Sequence, residues 1–377
     1  DGALLAPHGY TWQFRVRPVQ SVFRNLSEVE RHSTKGEEGT FSQTYGGAAI
    51  DLDKNRYPDI VLVNEHSDDL VSFLNTSDGT VSLDRVEGGL PTAHGPSPTE
   101  QGDFNSDGYQ DLAVANTRDN RISLYRGGAD GRLDLWQELE AGCQVRGIAV
   151  LDADGDGDLD IAATNYRDGH VSVHINNRSD QWTERRNFET PMVDGDYAIG
   201  AADLNNDGLL DLVVGGHDNG VIQQLVARGD GYFSPRSSVE TKPGLWHVNV
   251  ADLSGDLYPD VAVAGGHANQ GSIVLSDANG EFVDLIEYPT EPGTISTDVG
   301  DLDGDGDLDW VLSSIYGQSP KWHFLENDGR GGFVLALEVE PTQDASCCIM
   351  VDLDLDGDLD AALIDEREDE MILLRND

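Results

Sequence analysis

The sequence predicts an all-β protein, a seven-bladed β-propeller with four antiparallel strands in each blade. Three observations support this prediction. A nine-residue aspartate-rich segment recurs seven times in the 377 residues, a continuous apolar run follows each copy, and no stretch of the chain has helical periodicity. Many short strands at an even spacing, separated by turn residues, are typical of a propeller.

The aspartate-rich segments recur at a near-constant interval. The steps between successive copies are 52, 49, 51, 49, 49 and 51 residues. An interval of about 50 residues accommodates four short strands with their connections, so we expect one blade per copy. The segments begin at Asp51, Asp103, Asp152, Asp203, Asp252, Asp301 and Asp352.

Each repeat contains the same elements in the same order, and we name its strands A to D. A short apolar run such as "RGIAVL" predicts strand A, and the aspartate-rich segment forms the A–B loop. Continuous runs such as "DIVLVN" predict a buried strand B, alternating segments such as "HVSVHIN" predict strand C, and "FVLALEV" predicts strand D. Within one domain, residues 1–377, the predicted blades are 43–92, 93–142, 143–192, 193–243, 244–293, 294–344, and 345–377 together with 10–19.

The last repeat is short by one strand. Only strands A, B and C fit between Asp352 and Asp377, whereas "YTWQFRVRPV", Tyr10–Val19, precedes the first repeat. We expect this N-terminal segment to pair with strand C of the seventh blade and close the ring, because closure removes exposed sheet edges. The alternative is that residues 1–42 form a separate cap or arm.

Composition limits the classes of partner. The chain has 70 acidic and 24 basic residues and a formal charge of −46, which argues against nucleic acid and against an anionic membrane surface. No apolar run approaches the roughly 20 residues that span a bilayer, so we expect no membrane insertion. We also expect a monomer. Because the sequence starts at Asp1 rather than Met, we expect any signal peptide to have been removed.

The A–B loops have the composition of calcium sites. Calcium takes about 6 to 8 oxygen ligands, and each loop offers side-chain oxygens at positions 1, 3, 5 and 9 and a backbone carbonyl at position 7. Glycine at position 6, such as Gly306, lets the chain turn around the ion. The predicted ligands are Asp51, Asp53, Asn55, Tyr57, Asp59, Asp103, Asn105, Asp107, Tyr109, Asp111, Asp152, Asp154, Asp156, Asp158, Asp160, Asp203, Asn205, Asp207, Leu209, Asp211, Asp252, Ser254, Asp256, Tyr258, Asp260, Asp301, Asp303, Asp305, Asp307, Asp309, Asp352, Asp354, Asp356, Asp358 and Asp360.

An EF-hand is the competing explanation, because it shares the first six positions of the motif. It also needs a bidentate glutamate at position 12 and flanking helices. Position 12 is apolar in all seven copies and lies within predicted strand B, which excludes EF-hands. These residues are Leu62, Val114, Ala163, Val214, Val263, Leu312 and Leu363.

In motif and period together, the chain resembles the FG-GAP and VCBS repeat propellers, the group that includes the head of integrin α subunits. The resemblance extends over nearly the whole chain. It implies seven blades, calcium in the A–B loops, and a secreted, periplasmic or cell-surface location. It implies little about activity, because a fold does not fix a function.

The seven loops are not equivalent, and we expect up to seven calcium ions. Blades 3, 6 and 7 have aspartate at positions 1, 3, 5 and 9, whereas Asn105 and Asn205 keep an oxygen but lose a charge in blades 2 and 4. Blade 5 has Ser254 at position 3. We expect blade 1 to be the weakest, since it has Asn55 at position 5 and Arg56 could supply positive charge in place of the metal. For any single loop, the alternative is an Asx-turn that holds water.

The opposite face carries the B–C and D–A connections, which surround the mouth of the central channel. Loops on a rigid scaffold commonly carry function, and here they predict a funnel rich in histidine, arginine and aromatic residues on an otherwise acidic molecule. The alternative is that these side chains are solvated and do not converge. The predicted residues are His66, Arg118, Arg167, His217, His267, Tyr316 and Arg367 from the B–C loops, and Tyr45, Ser97, Arg146, Tyr197, Trp246, His247, Ser296, Ser346 and Cys347 from the D–A connections.

This funnel is consistent with three activities, of which we favour ligand binding. Arginines would clamp the carboxylate or sulfate of an anionic glycan or protein, and Trp246 or Tyr197 would stack on a sugar.

The first alternative is a polysaccharide lyase that acts on uronic-acid-containing glycans. Arg118 or Arg167 would then neutralise the carboxylate, His217 or His267 would act as base and Tyr316 as acid.

The second alternative is a zinc or copper site built from His217, His247 and His267.

The three cysteines are too few for a disulfide scaffold. Cys347 and Cys348 are adjacent, so they could form a strained vicinal disulfide or remain free thiols. Cys143 belongs to blade 3, and we do not expect it to pair with Cys347.

Overall fold

The computed structural model describes residues 26–36, 41–76, 80–86, 88–177, 182, 184–265, 269–315 and 319–376. Every regular element in these ranges is a β-strand, and the strands form seven sheets. The predicted all-β, seven-bladed architecture is confirmed. Among the described residues, no helix combines the length and the hydrophobicity that a membrane crossing requires.

Each of the first six sheets contains one repeat, and its strands lie side by side in sequence order from A to D. In blade 1 the outer strand is split, and both halves pair with strand C. Blades 1 to 3 consist of β2 (Thr44–Ile50), β3 (Asp59–Asn64), β4 (Asp69–Asn75), β5 (Leu83–Arg85) and β6 (Leu90–Pro91); β7 (Pro96–Gly102), β8 (Asp111–Asn116), β9 (Arg121–Gly127) and β10 (Leu133–Glu140); and β11 (Val145–Leu151), β12 (Asp160–Asn165), β13 (His170–Ile175) and β14 (Glu184–Glu189).

The next three blades repeat this arrangement without a split strand. They consist of β15 (Asp196–Ala202), β16 (Asp211–Gly216), β17 (Val221–Ala227) and β18 (Phe233–Glu240); β19 (Leu245–Ala251), β20 (Asp260–Gly265), β21 (Gln270–Ser276) and β22 (Phe282–Pro289); and β23 (Thr294–Gly300), β24 (Asp309–Ser314), β25 (Lys321–Asn327) and β26 (Phe333–Val339).

The seventh blade joins the two ends of the chain. Its strands A to C are β27 (Ala345–Val351), β28 (Asp360–Asp365) and β29 (Glu370–Arg375), and its outer strand is β1 (Ser27–Ser33), antiparallel to β29. The predicted closure by an N-terminal strand is confirmed, but the residues differ. Tyr10–Val19 lies outside the described residues, and Ser27–Ser33 takes the place beside β29. The strand β1 is largely exposed, so its sequence has no apolar run that would have identified it as the closing strand.

The core lies between neighbouring blades. All six residues of each strand B are buried, because a strand B has another blade packed on each face. Val171 and Val173 of blade 3, for example, share a cluster with Leu212 and Val214 of blade 4. Burial of such a side chain stabilises the fold by about 1.5–3 kcal/mol, so each blade depends on its neighbours. The meander places all A–B loops on one face and all B–C and D–A connections on the other.

Candidate functional site

The A–B loops share one hydrogen-bond pattern in all seven blades. The position-1 aspartate accepts the amide N–H of position 6 through Oδ2, as Asp352 does from Gly357 at 3.0 Å. The same bond recurs in the other blades at 2.8–3.1 Å. The position-5 side chain accepts the N–H of position 7, as Asp305 does from Asp307 at 2.9 Å. These bonds offset part of the repulsion between the acids.

Position 6 has a left-handed backbone in every loop, which explains why glycine is common there. The φ angle is 96° at Gly306 and 104° at Gly357. Arg56 and Leu257 occupy the same position with φ angles of 81° and 76°, a conformation that costs a residue with a side chain about 1–3 kcal/mol. The loop geometry is therefore kept even where the residue does not favour it.

The position-9 aspartate holds the A–B loop to the end of strand C, a role that the sequence analysis missed. Asp309 is almost fully buried. Its Oδ2 accepts the N–H of Leu302 at 2.9 Å and its Oδ1 accepts the N–H of Asn327 at 3.0 Å. The corresponding pair of bonds is present in the other six blades, at Asp59, Asp111, Asp160, Asp211, Asp260 and Asp360.

Burial raises the pKa of these position-9 carboxyl groups in the metal-free protein, despite their backbone hydrogen bonds. The pKa is raised to about 8 for Asp160 and for Asp309, and to about 7 for Asp360. Neighbouring carboxylates in the same loop add to the effect. A cation beside the loop would favour the ionised forms.

The loops also present oxygens that fit a hard cation. In Asp51, Asp301 and Asp352 the other oxygen, Oδ1, is buried without a hydrogen-bond partner, which costs free energy unless a cation is bound there. Oxygen is the ligand that calcium prefers, so the residues present fit this ion. Carboxylates with ligand atoms within 4.8 Å of one another are found in four loops: Asp51, Asp53 and Asp59; Asp152, Asp154 and Asp160; Asp301, Asp303 and Asp309; and Asp352, Asp354 and Asp356.

In blade 1, Arg56 does not fill the expected role of counter-ion. Its side chain is exposed, and within the described ranges it forms no ion pair with the acids of its loop. It contributes its backbone N–H to Asp51. Because Asp51, Asp53 and Asp59 still converge, the lower affinity expected for blade 1 remains a prediction that now depends on Asn55 alone.

On the opposite face, a cavity of about 350 Å³ lies in the central channel, lined by the A strands of all seven blades. Each A strand has a β-bulge near the channel mouth, as between Asp196 and Ala198 in blade 4 and between Leu245 and His247 in blade 5. A bulge redirects a side chain out of the ladder. Eight of the nine predicted D–A residues line the cavity: Tyr45, Ser97, Arg146, Tyr197, Trp246, His247, Ser296 and Cys347.

One side of the mouth is an aromatic cluster, which we define as Tyr166, Tyr197, His217 and Trp246. The Tyr197 ring lies 5.2 Å from His217 and 5.1 Å from Trp246, and Tyr166 lies 5.9 Å from both Tyr197 and His217. Arg146 lies over the Tyr197 ring at 5.1 Å, which gives the cluster a cationic edge. The predicted convergence of B–C and D–A residues therefore occurs on the side of blades 3 to 5.

Other B–C residues stay at the rim. The Arg118 guanidinium lies 3.3 Å from Glu65, that of Arg367 lies 3.0 Å from Asp344, and His66 packs on Phe41. Arg167 lies over Tyr166 at 5.1 Å and donates to Gln144. The positive funnel is thus narrower than predicted, since acids neutralise two of its arginines. His267 and Tyr316 lie outside the described residues.

Two acids of the A strands, Glu100 and Asp298, were not among the predicted site residues. Glu100 lines the cavity, and burial raises its pKa to about 7. Burial also raises the pKa of Asp298 to about 6, although its carboxylate accepts the N–H groups of Met350 and Val299 at 2.9 Å. Both residues lie within strand A of their repeats. Because side chains alternate between the two faces of a strand, their positions in strand A could have marked them as candidates.

Of the three histidines of the predicted transition-metal site, His267 lies outside the described residues, and the other two have separate partners. The Nδ1 atom of His247 accepts the backbone N–H of Thr297 at 3.4 Å, and His217 is packed within the aromatic cluster with Nδ1 3.1 Å from Asp218. In the part of the chain that the structure describes, neither belongs to a set of three metal-ligating side chains.

The three cysteines are free thiols, so the vicinal disulfide is not formed. The Cys347 Sγ atom donates to the carbonyl of Tyr45 at 2.7 Å. Burial raises the pKa of this thiol to about 11, which keeps it protonated and unreactive at neutral pH.

Comparisons with known proteins agree with the repeat architecture. A family model for the FG-GAP-like repeat matches residues 51–114, 103–163, 152–214, 203–263, 252–312 and 301–363. No curated protein matches the chain.

Among 430 similar chains of solved structures is the crystal structure of BBS1N in complex with ARL6DN, soaked with lead. It has 11% identity and a TM-score of 0.64, and the match covers 95% of this chain and 98% of that chain. At this identity the likeness shows the fold alone. Because the repeat model matches most of the sequence, this chain belongs to the FG-GAP-like repeat family.

Proposed function

We propose that this protein is a calcium-stabilised β-propeller, acting outside the cytoplasm, that binds a carboxylate-bearing glycan at the mouth of its central channel. The calcium part is supported by the unpaired carboxylate oxygens of the A–B loops. Asp301, Asp303 and Asp309 would hold an ion in blade 6. Calcium supplies positive charge to these loops when bound, and it stabilises the folded state because only that state presents the ligands together.

The observation that carries the ligand proposal is the guanidinium of Arg146. Its Nε atom is buried without a hydrogen-bond partner, and within the described ranges no acid pairs with it. A buried N–H group without an acceptor is costly, and a carboxylate is the best-matched acceptor for a guanidinium because two parallel hydrogen bonds can form. The chain has a formal charge of −46, so an arginine without an acidic partner among the described residues is unusual in this protein.

A sugar fits the remaining geometry. Trp246 is half-buried at the cavity and lies 5.1 Å from Tyr197, so its ring can contact the apolar face of a pyranose. The cavity of about 350 Å³ is in the range of small-ligand sites, which suits the terminal residue of a chain. A uronate satisfies both requirements at once.

The two alternatives from the sequence are not favoured. The lyase needs a base and an acid beside the neutralised carboxylate, but His217 is packed among aromatic rings, and Arg118 is paired with Glu65. For the zinc or copper site, the described residues supply only His217 and His247, and His217 is packed within the aromatic cluster. A location that is secreted, periplasmic or on the cell surface remains part of the proposal, because weak calcium sites fill where calcium is abundant.

Calorimetric titration tests the ligand proposal directly. We expect oligoglucuronate or oligogalacturonate to bind in the presence of calcium, and the matched neutral oligosaccharides to bind at least about tenfold more weakly. Arg146→Gln should remove this preference. Arg121→Gln is the matched control, because Arg121 pairs with Glu138 away from the channel lining. Equal binding of charged and neutral sugars, or unchanged binding by Arg146→Gln, would overturn the proposal.

A further inference from the structure

We infer that Arg375 is an internal counter-ion of the seventh A–B loop and weakens calcium binding there, whereas Glu326 strengthens binding at the sixth loop. The inference rests on the proposed function, in that it assumes that the loops bind calcium. It concerns residues outside the aspartate-rich segments, which the repeat motif does not reveal.

Arg375 and Glu326 occupy equivalent places in their blades. Each directly precedes the strand C residue whose N–H is donated to the position-9 aspartate. Asn376 donates to Asp360 at 2.9 Å, and Asn327 donates to Asp309 at 3.0 Å. The side chain before this residue therefore reaches the same side of the loop in both blades.

In blade 7 that side chain contacts two predicted calcium ligands. The Nη2 atom of Arg375 lies 2.9 Å from Oδ2 of Asp354 and 3.7 Å from Oδ2 of Asp356. The Asp354 side chain is only 1% exposed, against 29% for Arg375. The arginine thus places a positive charge directly against a buried carboxylate at position 3, where calcium would also need to bind.

In blade 6 the equivalent residue has the opposite charge. Glu326 is exposed and occupies the same place in strand C as Arg375 does in blade 7. The pKa of Asp303, at position 3, is raised to about 6 by burial, with smaller contributions from Asp305 and Glu326. The two loops are otherwise nearly identical, "DLDGDGDLD" and "DLDLDGDLD", with the same ligands at positions 1, 3, 5 and 9. At this one position the two blades therefore differ by two units of charge, although the motif predicts equal affinity.

The arrangement of the ligands differs in the same way. In blade 6 the carboxylates that converge are those of positions 1, 3 and 9, as they are in blades 1 and 3. In blade 7 they are those of positions 1, 3 and 5, the last two being the residues that Arg375 contacts. A calcium ion in blade 7 must displace this guanidinium, which lowers its net affinity.

The equivalent position in the remaining blades is apolar, with one exception. Arg126 of blade 2 lies there, and its guanidinium stacks over Trp136 at 4.7 Å. A basic residue at this position can therefore contact either an aromatic ring or the acids of the A–B loop. The sequence alone does not show which of the two it contacts. The apolar residues are Leu74, Ile175, Val226 and Leu275.

A reciprocal pair of variants tests the inference by calorimetric calcium titration of the whole chain. Arg375→Met keeps the length of the side chain and removes its charge. We expect it to tighten one site by at least about tenfold, and adding Asp352→Asn should abolish this gain and so assign it to blade 7. Glu326→Arg should weaken one site by a similar factor. Arg121→Met is the control, since Arg121 begins strand C of blade 2 and pairs with Glu138, and it should leave all sites unchanged.

Thermal melting separates this role from simple packing. We expect Arg375→Met to lower the melting temperature in chelator, where Asp354 loses its cation, and to recover fully in excess calcium. An equal loss in both conditions would overturn the inference. Unchanged affinities in Arg375→Met, with calcium still binding to the unmodified chain, would also overturn it while leaving the proposed function intact. If neither the variants nor the unmodified chain bind calcium, the proposed function fails first.

Discussion

Replacement of the position-9 and position-1 aspartates of one blade should differ in how much stability is lost without calcium. Asp309 is 1% exposed and accepts two backbone N–H groups. Asp309→Ala leaves both donors buried without a partner, at about 1–3 kcal/mol each, so we expect a loss of about 2–6 kcal/mol in the free energy of unfolding. The loss should already be present in chelator, because these bonds do not depend on the ion, and in calcium the loss of a predicted ligand adds to it.

Asp301 makes a smaller contribution to the metal-free fold. It accepts one N–H, from Gly306 at 3.0 Å, and leaves Oδ1 without a partner. Asp301→Ala removes a calcium ligand and one hydrogen bond at a loop that stays partly open to water. We therefore expect a loss of about 1 kcal/mol in chelator and a much larger loss in calcium, where the unmodified protein also has the stabilisation from the bound ion.

Urea denaturation measures both losses, with fluorescence of Trp310, which is fully buried directly after Asp309, as the probe of blade 6. Asp309→Asn is a useful intermediate, because its one carbonyl oxygen can replace only one of the two acceptors, and we expect about half the loss of Asp309→Ala. If Asp309→Ala were harmful only in calcium, position 9 would be a metal ligand without the structural role assigned to it. Equal effects of Asp301→Ala with and without calcium would refute the reasoning for position 1.

Three further predictions concern pH, backbone strain and thiol reactivity. In chelator, the pKa values of Asp160 and Asp309 are raised to about 8, against an ordinary value of about 3.9. The stability that these protonated groups contribute is therefore fully present below about pH 4 and is lost as the pH rises through about 8. The melting temperature should fall over this range, and less steeply in calcium, whereas a rise in chelator would contradict the prediction. Leu257→Gly should stabilise the protein by about 1 kcal/mol. Leu257 has φ 76° and is 77% exposed, so glycine removes backbone strain that exceeds the entropy it adds to the unfolded chain. An unchanged melting temperature would show that the loop is not strained. Cys347, with its pKa raised to about 11, should react with iodoacetamide at pH 8 far more slowly in the folded than in the unfolded protein, and mass spectrometry showing equal rates would refute the raised pKa.

Most of the fold could be predicted from the sequence, because the repeat encodes it locally. The spacing of the aspartate-rich segments fixed the number of blades, and the apolar runs after them fixed the buried strands. The closing strand could not be placed correctly, since Ser27–Ser33 is an outer strand with few apolar residues and pairs with Glu370–Arg375 at the far end of the chain. Such a pairing leaves little local signal.

The site could be predicted only in part, because partners distant in sequence decide what each side chain does. The D–A residues Tyr197 and Trp246 line the channel as expected. Arg118 and Arg367 were assigned to the same funnel, but each pairs with an acid from its surroundings. The double backbone contact of Asp309 was also missed, since the motif shows which residues can bind a cation and not which N–H groups fold back on them.

Calcium binding to the whole chain tests the central claim most directly. Equilibrium dialysis at millimolar free calcium and neutral pH, followed by elemental analysis, counts the ions per chain, and melting of the same samples in calcium and in chelator measures their effect. The account predicts several calcium ions per chain and a clearly higher melting temperature in calcium. A chain that retains no calcium and melts at the same temperature in both conditions would contradict it.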